Sequence, residues 1–147
     1  ATKVGGVIAG ADISTVQALS DYGDSLGISF QVVDDLLDYD GQSSITGKNI
    51  GDDFRERKLT LPVIKAVANA DSKEQAFWSR TIEKGNQEDG DLERAISLLQ
   101  KHGALEATRL DAISWANKAK AALAPLPDHD LKSILYDLAT YVVARLK

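Results

Sequence analysis

The sequence contains no cysteine and no methionine, and only two of its 147 residues are histidine. The absence of cysteine excludes disulfides, zinc–thiolate sites, iron–sulfur clusters and a cysteine nucleophile. The scarcity of histidine also excludes a histidine-rich metal site. Because the chain starts at Ala1 without methionine, and its first residues read as part of a helix without a cap, we expect that an N-terminal part of a longer protein precedes it.

Basic residues are fewer than acidic ones, since the sequence has 17 lysines and arginines and 22 aspartates and glutamates, which gives a net charge of −5. This balance argues against nucleic acid as a partner, because proteins that bind it usually carry a basic surface. No apolar run approaches the roughly 20 residues of a membrane span, and no signal peptide opens the chain. We therefore expect a cytoplasmic protein without an integral membrane segment, and the length fits one domain, residues 1–147.

The apolar residues recur at spacings of three and four, which predicts helices, whereas strand signals are scarce. The longest predicted helix is capped by Ser14 or Thr15 and continues to Leu37. The segment 41–58, rich in glycine, serine and charge, is predicted to be a loop. Further helices are expected over 61–69, 72–83, 91–102, 104–123 and 131–146, so the fold class is all-α.

Two aspartates four residues apart, Asp34 and Asp38, mark the end of the longest predicted helix. This spacing places them on one face about 6 Å apart along the axis, where like charges repel and the helix dipole disfavours them. A divalent cation would reverse the sign of this interaction. Since only carboxylate oxygens are offered, with no histidine or cysteine, the pattern favours a hard ion such as Mg²⁺.

The loop that follows supplies the complementary charge. Lys48 lies in a Gly-Lys-Asn-Ile-Gly stretch, and Arg55, Arg57 and Lys58 come shortly after two further aspartates. Taken alone, the acidic helix end and the loop lysines each fit an ordinary solvated surface. Together they are typical of a site for a diphosphate with bound Mg²⁺, because the metal and the ammonium groups share the phosphate oxygens.

The segments FQVVDDLLD and GKNIGDDFRERKLTLPVI resemble the second aspartate-rich motif and the following loop of the trans-polyprenyl diphosphate synthases. The resemblance implies a helical bundle of the isoprenoid synthase type that acts as a homodimer. It implies that Asp34 binds Mg²⁺ directly, and that Asp35 and Asp38 bind through water or hold the metal site. The same resemblance assigns the substrate-binding residues: Phe30, Gln31, Lys48 and Lys58, with Gln31, Lys48 and Asp34 as catalytic groups.

By this resemblance the protein is a transferase that joins isopentenyl diphosphate to an allylic diphosphate. The wording of the tail, YVVARLK, favours a synthase of long quinone side chains. The first aspartate-rich motif of the family is absent, so the chain resembles a C-terminal half that lacks the N-terminal helices and is inactive alone. The faces that carry Val4–Ile8, Val33 and Leu37 are expected to be exposed. The alternatives are a non-catalytic helical subunit of a prenyltransferase and, less favoured, a class I terpene cyclase.

Overall fold

The computed structural model describes residues 1–39 and 50–146. Within these ranges the chain is built from helices and contains no strand, which confirms the predicted all-α class. No helix in the described ranges is both long enough and apolar enough to cross a membrane. The helices are Thr2–Ile8 (α1), Ile13–Leu37 (α2), Asp52–Arg55 (α3), Leu61–Ala68 (α4), Ser72–Trp78 (α5), the π-helix Ser79–Glu83, Asp91–Lys101 (α6), Ala104–Ala122 (α7) and Asp130–Ala144 (α8).

The long helix α2 begins slightly earlier than predicted, because Asp12 rather than Ser14 or Thr15 caps it. The Asp12 carboxylate accepts a hydrogen bond from the backbone N–H of Thr15 at 2.9 Å. The Asp12 carbonyl oxygen also accepts the first helical bond, from the N–H of Val16. Both hydroxyls that were expected to cap instead donate to Asp12. A carboxylate at this position also complements the positive end of the helix dipole.

The predicted loop 41–58 is only partly described, and its described end contains one short helix between turns. Residues 40–49 lie outside the described ranges, whereas Asp52–Arg55 form the short helix α3. Gly51 begins this helix in the left-handed region, with φ of 80°. A β-carbon at Gly51 would also collide with the side chain of Leu92. The helix therefore depends on a glycine whose role is visible only in the tertiary structure.

The helix predicted over 72–83 changes its hydrogen-bond pattern at Ser79. Lys84 N–H donates to the Ser79 carbonyl, five residues back, which is the spacing of a π-helix. The buried hydroxyl of Thr81 donates to the Phe77 carbonyl at 2.9 Å. Arg80 lies in the same turn and its guanidinium contacts Asp91 at 2.6 Å. The burial of Thr81 and the pairing of Arg80 with Asp91 are tertiary features of this turn that apolar periodicity does not encode.

The chain divides into two compact units, of which the first contains Ala1–Val33 and Leu110–Lys147. One buried cluster of this unit consists of an aromatic ring and three small or branched side chains: Tyr22, Ala119, Leu123 and Ala139. The alanines allow close approach of their helices. The Tyr22 hydroxyl donates to the Leu135 carbonyl at 2.8 Å, so its burial leaves no unpaired donor.

Apolar surface on the first unit agrees only in part with the expectation from sequence. Val4, Val7 and Ile8 are exposed, as expected, and the exposed fraction of Ile8 is 82%. The expectation for Val33 is wrong, because this side chain is fully buried. Val33 lies four residues after Ser29, which is also fully buried, and both occupy the packed face of α2.

The second unit, Asp34–Arg109, contains the acidic motif and has its own hydrophobic core. Its larger buried members are Tyr39, Phe54, Val63, Phe77, Trp78, Leu98 and Leu99. Phe77 and Trp78 meet edge to face with ring centroids 5.1 Å apart, and the Arg94 guanidinium lies 4.6 Å from the Phe77 centroid. This core joins α3, α4, α5 and α6, and it holds the segment around Asp38 and Asp53 in place.

A buried carboxylate, Glu74, connects α5 with the end of α6. It accepts from the backbone N–H of Asp71 at 3.1 Å, completing a capping box. It also contacts Lys101 and, at 2.8 Å, His102 Nε2. The hydrogen bonds from Lys101 and then His102 lower the pKa of Glu74 from its ordinary value of 4.5 to about 2.

This lowered pKa makes the stability of the protein sensitive to acid. Because the folded pKa is below the unfolded one, Glu74 stabilises the fold above about pH 4.5, and this contribution is lost as the pH falls towards 2. We expect Glu74→Gln to lower the urea midpoint at pH 7 and to flatten its dependence on pH in this window. The exposed Glu93 on α6 provides the control, since Glu93→Gln should keep the wild-type slope. Equal slopes for wild type and Glu74→Gln would contradict the assignment.

Candidate functional site

The C-terminal end of α2 carries the acidic motif predicted from sequence. Asp34 and Asp35 lie in its last turn, and Asp38 follows its last residue, with its N–H bonded to the Asp34 carbonyl at 3.3 Å. The last turn contains no basic residue. All three carboxylates are half-buried. The negative end of the helix dipole and three acidic side chains therefore coincide, which is electrostatically unfavourable without a cation.

Asp38 and Asp35 are each bonded to the beginning of a later helix. The Asp38 carboxylate accepts from the backbone N–H of Asp53 in α3 at 3.1 Å. The Asp35 carboxylate accepts from the N–H of Leu61, the first residue of α4, at 3.3 Å. Thr60 occupies the N-cap position of α4, but its side chain makes no capping bond. The Asp35 carboxylate thus binds a free N–H group at the start of α4 in place of the Thr60 side chain.

Burial and neighbouring charge act together on Asp38. Its pKa is raised from 3.8 to about 6, chiefly because burial disfavours the carboxylate and then because Asp53 and Asp52 are negative. The N–H of Asp53 opposes this rise but does not cancel it. A positive ion at this position would restore the charged form. The electrostatics therefore fit a cation site.

The donor chemistry fits a hard divalent cation, because every acidic ligand on this surface is a carboxylate oxygen. In the described ranges, however, no group of three or more His, Cys, Asp or Glu side chains is arranged as a complete metal site. A hard ion that takes only one or two protein carboxylates and fills its shell with water and phosphate oxygens does not need such a group. Asp34, Asp35 and Asp38 are the residues that would hold it.

Lys58 lies at the border of this acidic group rather than apart from it. Its ammonium contacts Asp53 at 2.9 Å and Glu56 at 2.7 Å. The hydrogen bonds that Lys58 donates, first to Glu56 and then to Asp53, raise the pKa of Lys58. Lys58 therefore contacts Asp53, whose backbone N–H binds the predicted metal ligand Asp38. Sequence reasoning placed Lys58 near the phosphates without finding these partners.

The other predicted site residues are Phe30, Gln31 and Lys48. Phe30 and Gln31 are on α2 but belong to the first compact unit, where both are exposed. The guanidinium of Arg145 lies 5.6 Å from the centre of the Phe30 ring, a contact that no sequence motif indicated. Lys48 lies outside the described residues. Its predicted role at the diphosphate stays a prediction.

The profile of a known family, polyprenyl synthetase, matches residues 1–99. This chain belongs to that family. The family resemblance predicted from the two motifs is therefore confirmed. The octaprenyl diphosphate synthase of Escherichia coli (strain K12) is 42% identical to this chain over 146 residues. The matched segment covers 99% of this chain and 45% of that protein.

Solved polyprenyl synthetase structures agree with the helical fold. A decaprenyl diphosphate synthase from Rhodobacter capsulatus matches with a TM-score of 0.92 and 66% identity, over 99% of this chain and 45% of that one. A polyprenyl synthase from Caulobacter crescentus CB15, solved with calcium and isoprenyl diphosphate, matches with a TM-score of 0.85 and 46% identity. The match covers 96% of this chain and 43% of that one. This chain therefore spans less than half the length of the relatives it matches.

Proposed function

We propose that this chain forms one half of the active site of a trans-polyprenyl diphosphate synthase. The observation that carries the proposal is the half-buried acidic motif Asp34, Asp35 and Asp38 at the end of α2. Burial, together with the negative charges of Asp53 and Asp52, raises the pKa of Asp38 in this motif to about 6. The reaction extends an allylic diphosphate by isopentenyl diphosphate. The octaprenyl and decaprenyl relatives support a long-chain product.

In this proposal the three aspartates hold Mg²⁺, which supplies the positive charge that makes diphosphate a good leaving group. Asp35 and Asp38 are kept in place by the N–H groups of Leu61 and Asp53. Their positions are thereby fixed by helices rather than by flexible loops. Such preorganisation is where electrostatic catalysis gains most of its effect.

The other side chains act on the substrates. Lys58 and Lys48 bind phosphate oxygens, Gln31 orients the allylic diphosphate, and the exposed ring of Phe30 borders its hydrocarbon. The allylic C–O bond breaks and its electrons leave with the diphosphate. The double bond of isopentenyl diphosphate then attacks the allylic carbon, and loss of a proton forms the new double bond. No side-chain nucleophile is needed, which agrees with the lack of cysteine.

The Asp-Asp-x-x-Asp pattern occurs once in the chain, whereas the family chemistry uses two aspartate-rich motifs. We therefore propose that residues 1–147 are part of a single isoprenoid synthase domain whose remaining helices carry the other motif. We further propose that the complete enzyme is a homodimer located in the cytoplasm. Light scattering and cell fractionation of the complete protein would test these two points.

A chimeric enzyme tests the function directly. The segment of the Rhodobacter capsulatus synthase that matches this chain would be replaced by residues 1–147, which is feasible at 66% identity. We expect Mg²⁺-dependent incorporation of isopentenyl diphosphate into an allylic primer. A chimera that folds as a dimer and shows no turnover would contradict the proposal and favour a non-catalytic subunit. Cyclic hydrocarbon products would favour a terpene cyclase.

A further inference from the structure

The side chain of Gln87 joins two segments that lie far apart in the sequence. Its amide Nε2 donates one hydrogen bond to the Phe54 carbonyl of α3 at 2.7 Å and another to the Thr81 carbonyl of the π-helix at 3.2 Å. Phe54 and Thr81 are buried, and Gln87 is half-buried. Both N–H donors of the amide therefore bridge α3 and the π-helix.

The segment that carries Gln87 is itself firmly held. The Asn86 N–H donates to the Arg80 carbonyl at 2.9 Å, and the Arg80 guanidinium donates to the Asn86 carbonyl at 2.7 Å. The same guanidinium contacts Asp91 of α6 at 2.6 Å. Gln87 thus extends from a backbone that is fixed to the π-helix, and its amide attaches α3 to that fixed backbone.

The opposite end of α3 is bonded to the acidic motif. The Asp38 carbonyl accepts from the Gly51 N–H at 2.8 Å, and the Asp38 carboxylate accepts from the Asp53 N–H at 3.1 Å. A helix of four residues does not hold its own position, because isolated helices shorter than about 12–15 residues are marginal in water. The buried ring of Phe54 and the bonds at both ends of α3, including those of Gln87, therefore fix its orientation together.

The end of α3 beside Gln87 also determines where Lys58 lies. Arg57 adopts a left-handed conformation with φ of 60°, which is uncommon for a residue other than glycine. Its N–H donates to the Phe54 carbonyl at 3.0 Å. The Lys58 N–H donates to the Asp53 carbonyl at 2.9 Å, and these two bonds form the Schellman pattern that ends a helix. After this turn the Lys58 ammonium contacts the Asp53 carboxylate at 2.9 Å. The Phe54 carbonyl thus accepts both from this turn and from Gln87.

We propose that Gln87 is a positioning residue of the acidic site, whose amide fixes α3 so that the Asp53 N–H is directed at Asp38 and Lys58 lies beside them. The proposal rests on the proposed function, in which Asp38 holds the cation and Lys58 binds a phosphate oxygen. Gln87 acts through α3. Loss of a group that orients a metal ligand typically weakens metal binding by about 10- to 100-fold, and the indirect action of Gln87 places its effect near the lower value.

The experiment compares the 147-residue chain with its Gln87→Met variant, which keeps the length of the side chain and removes both donors. Amide hydrogen exchange, followed by NMR in metal-free buffer, would measure the opening of the Asp53 N–H. The reference amide is the Lys73 N–H, which is bonded to the Asp71 carboxylate at 2.9 Å and lies outside α3. Mn²⁺, which shares the oxygen ligands of Mg²⁺, would be titrated alone and counted by the loss of the free-ion electron paramagnetic resonance signal. Both measurements would be made well below the unfolding midpoint.

The matched control is Gln75→Met. Gln75 is an exposed residue of α5 whose Nε2 donates to the Ala70 carbonyl at 3.2 Å. The same substitution therefore removes a bond of the same kind away from α3. This variant should keep the wild-type exchange rate at Asp53 and the wild-type affinity for Mn²⁺.

We expect Gln87→Met to speed exchange of the Asp53 N–H by roughly tenfold, to leave Lys73 within about twofold of the wild type, and to weaken Mn²⁺ binding by roughly tenfold. Equal acceleration at both amides would indicate a general loss of stability and would overturn the positioning role. Mn²⁺ affinity equal to that of a wild type that binds the ion would overturn it as well.

The same measurements separate a failure of this inference from a failure of the proposed function. A wild-type chain that binds no Mn²⁺ would overturn the assignment of a metal to the aspartates. Unchanged exchange of the Asp53 N–H in Gln87→Met would overturn the link between Gln87 and the site, whatever the metal affinity.

Discussion

Asp34→Ala in the chimeric synthase is expected to lower the rate of isopentenyl incorporation by roughly 100-fold or more, with little change in thermal stability. The loss follows because a direct metal ligand should matter at least as much as the groups that orient one. Stability should be maintained because Asp34 lies in the last turn of α2, where the helix dipole and two neighbouring carboxylates disfavour its charge. The measurement is steady-state turnover at saturating Mg²⁺ beside a thermal unfolding curve.

The matched control for this prediction is Asp24→Ala. Asp24 is an exposed aspartate on the same helix, but it lies ten residues earlier and away from the acidic motif. Its removal should leave turnover within about twofold of the parent chimera. If Asp34→Ala retained nearly full activity while Mg²⁺ remained essential, the metal would have to be held by other residues.

The 147-residue chain by itself is expected to show no multi-turnover prenyl transfer. Its single Asp-Asp-x-x-Asp motif offers metal ligands on one side of a diphosphate only. The family holds the diphosphate between two such motifs, so both stabilisation of the leaving group and positioning of the second substrate would be incomplete. The assay is incorporation of labelled isopentenyl diphosphate with Mg²⁺ and an allylic primer, over many enzyme equivalents.

This prediction has a built-in comparison, because the chimera contains the same 147 residues. Activity in the chimera and none in the isolated chain would locate the missing component in the remaining part of the relative. Sustained elongation by the isolated, monodisperse chain would instead show that one aspartate-rich motif is sufficient. The exposed side chains Val4, Val7 and Ile8 make association of the isolated chain a further expectation, which light scattering of the same sample would detect.

Sequence alone determined those features that depend on neighbours three or four residues apart. The spacing of apolar residues predicted α2, α4 and the helices from Asp91 onwards to within a few residues of their observed ends. The same spacing placed Asp34 and Asp38 on one face of a helix. Local periodicity is sufficient here because a helix closes its hydrogen bonds within four residues.

Only the tertiary structure decided what surrounds that motif. The bonds from Asp53 to Asp38 and from Leu61 to Asp35 join residues 15 and 26 positions apart. The burial of Tyr39 beside Phe54 and Val63 likewise depends on residues that are distant in the chain. These features depend on how α3 and α4 pack beside the end of α2. No pattern within a few residues of sequence encodes that packing, because the contacts form between segments that are distant in the sequence.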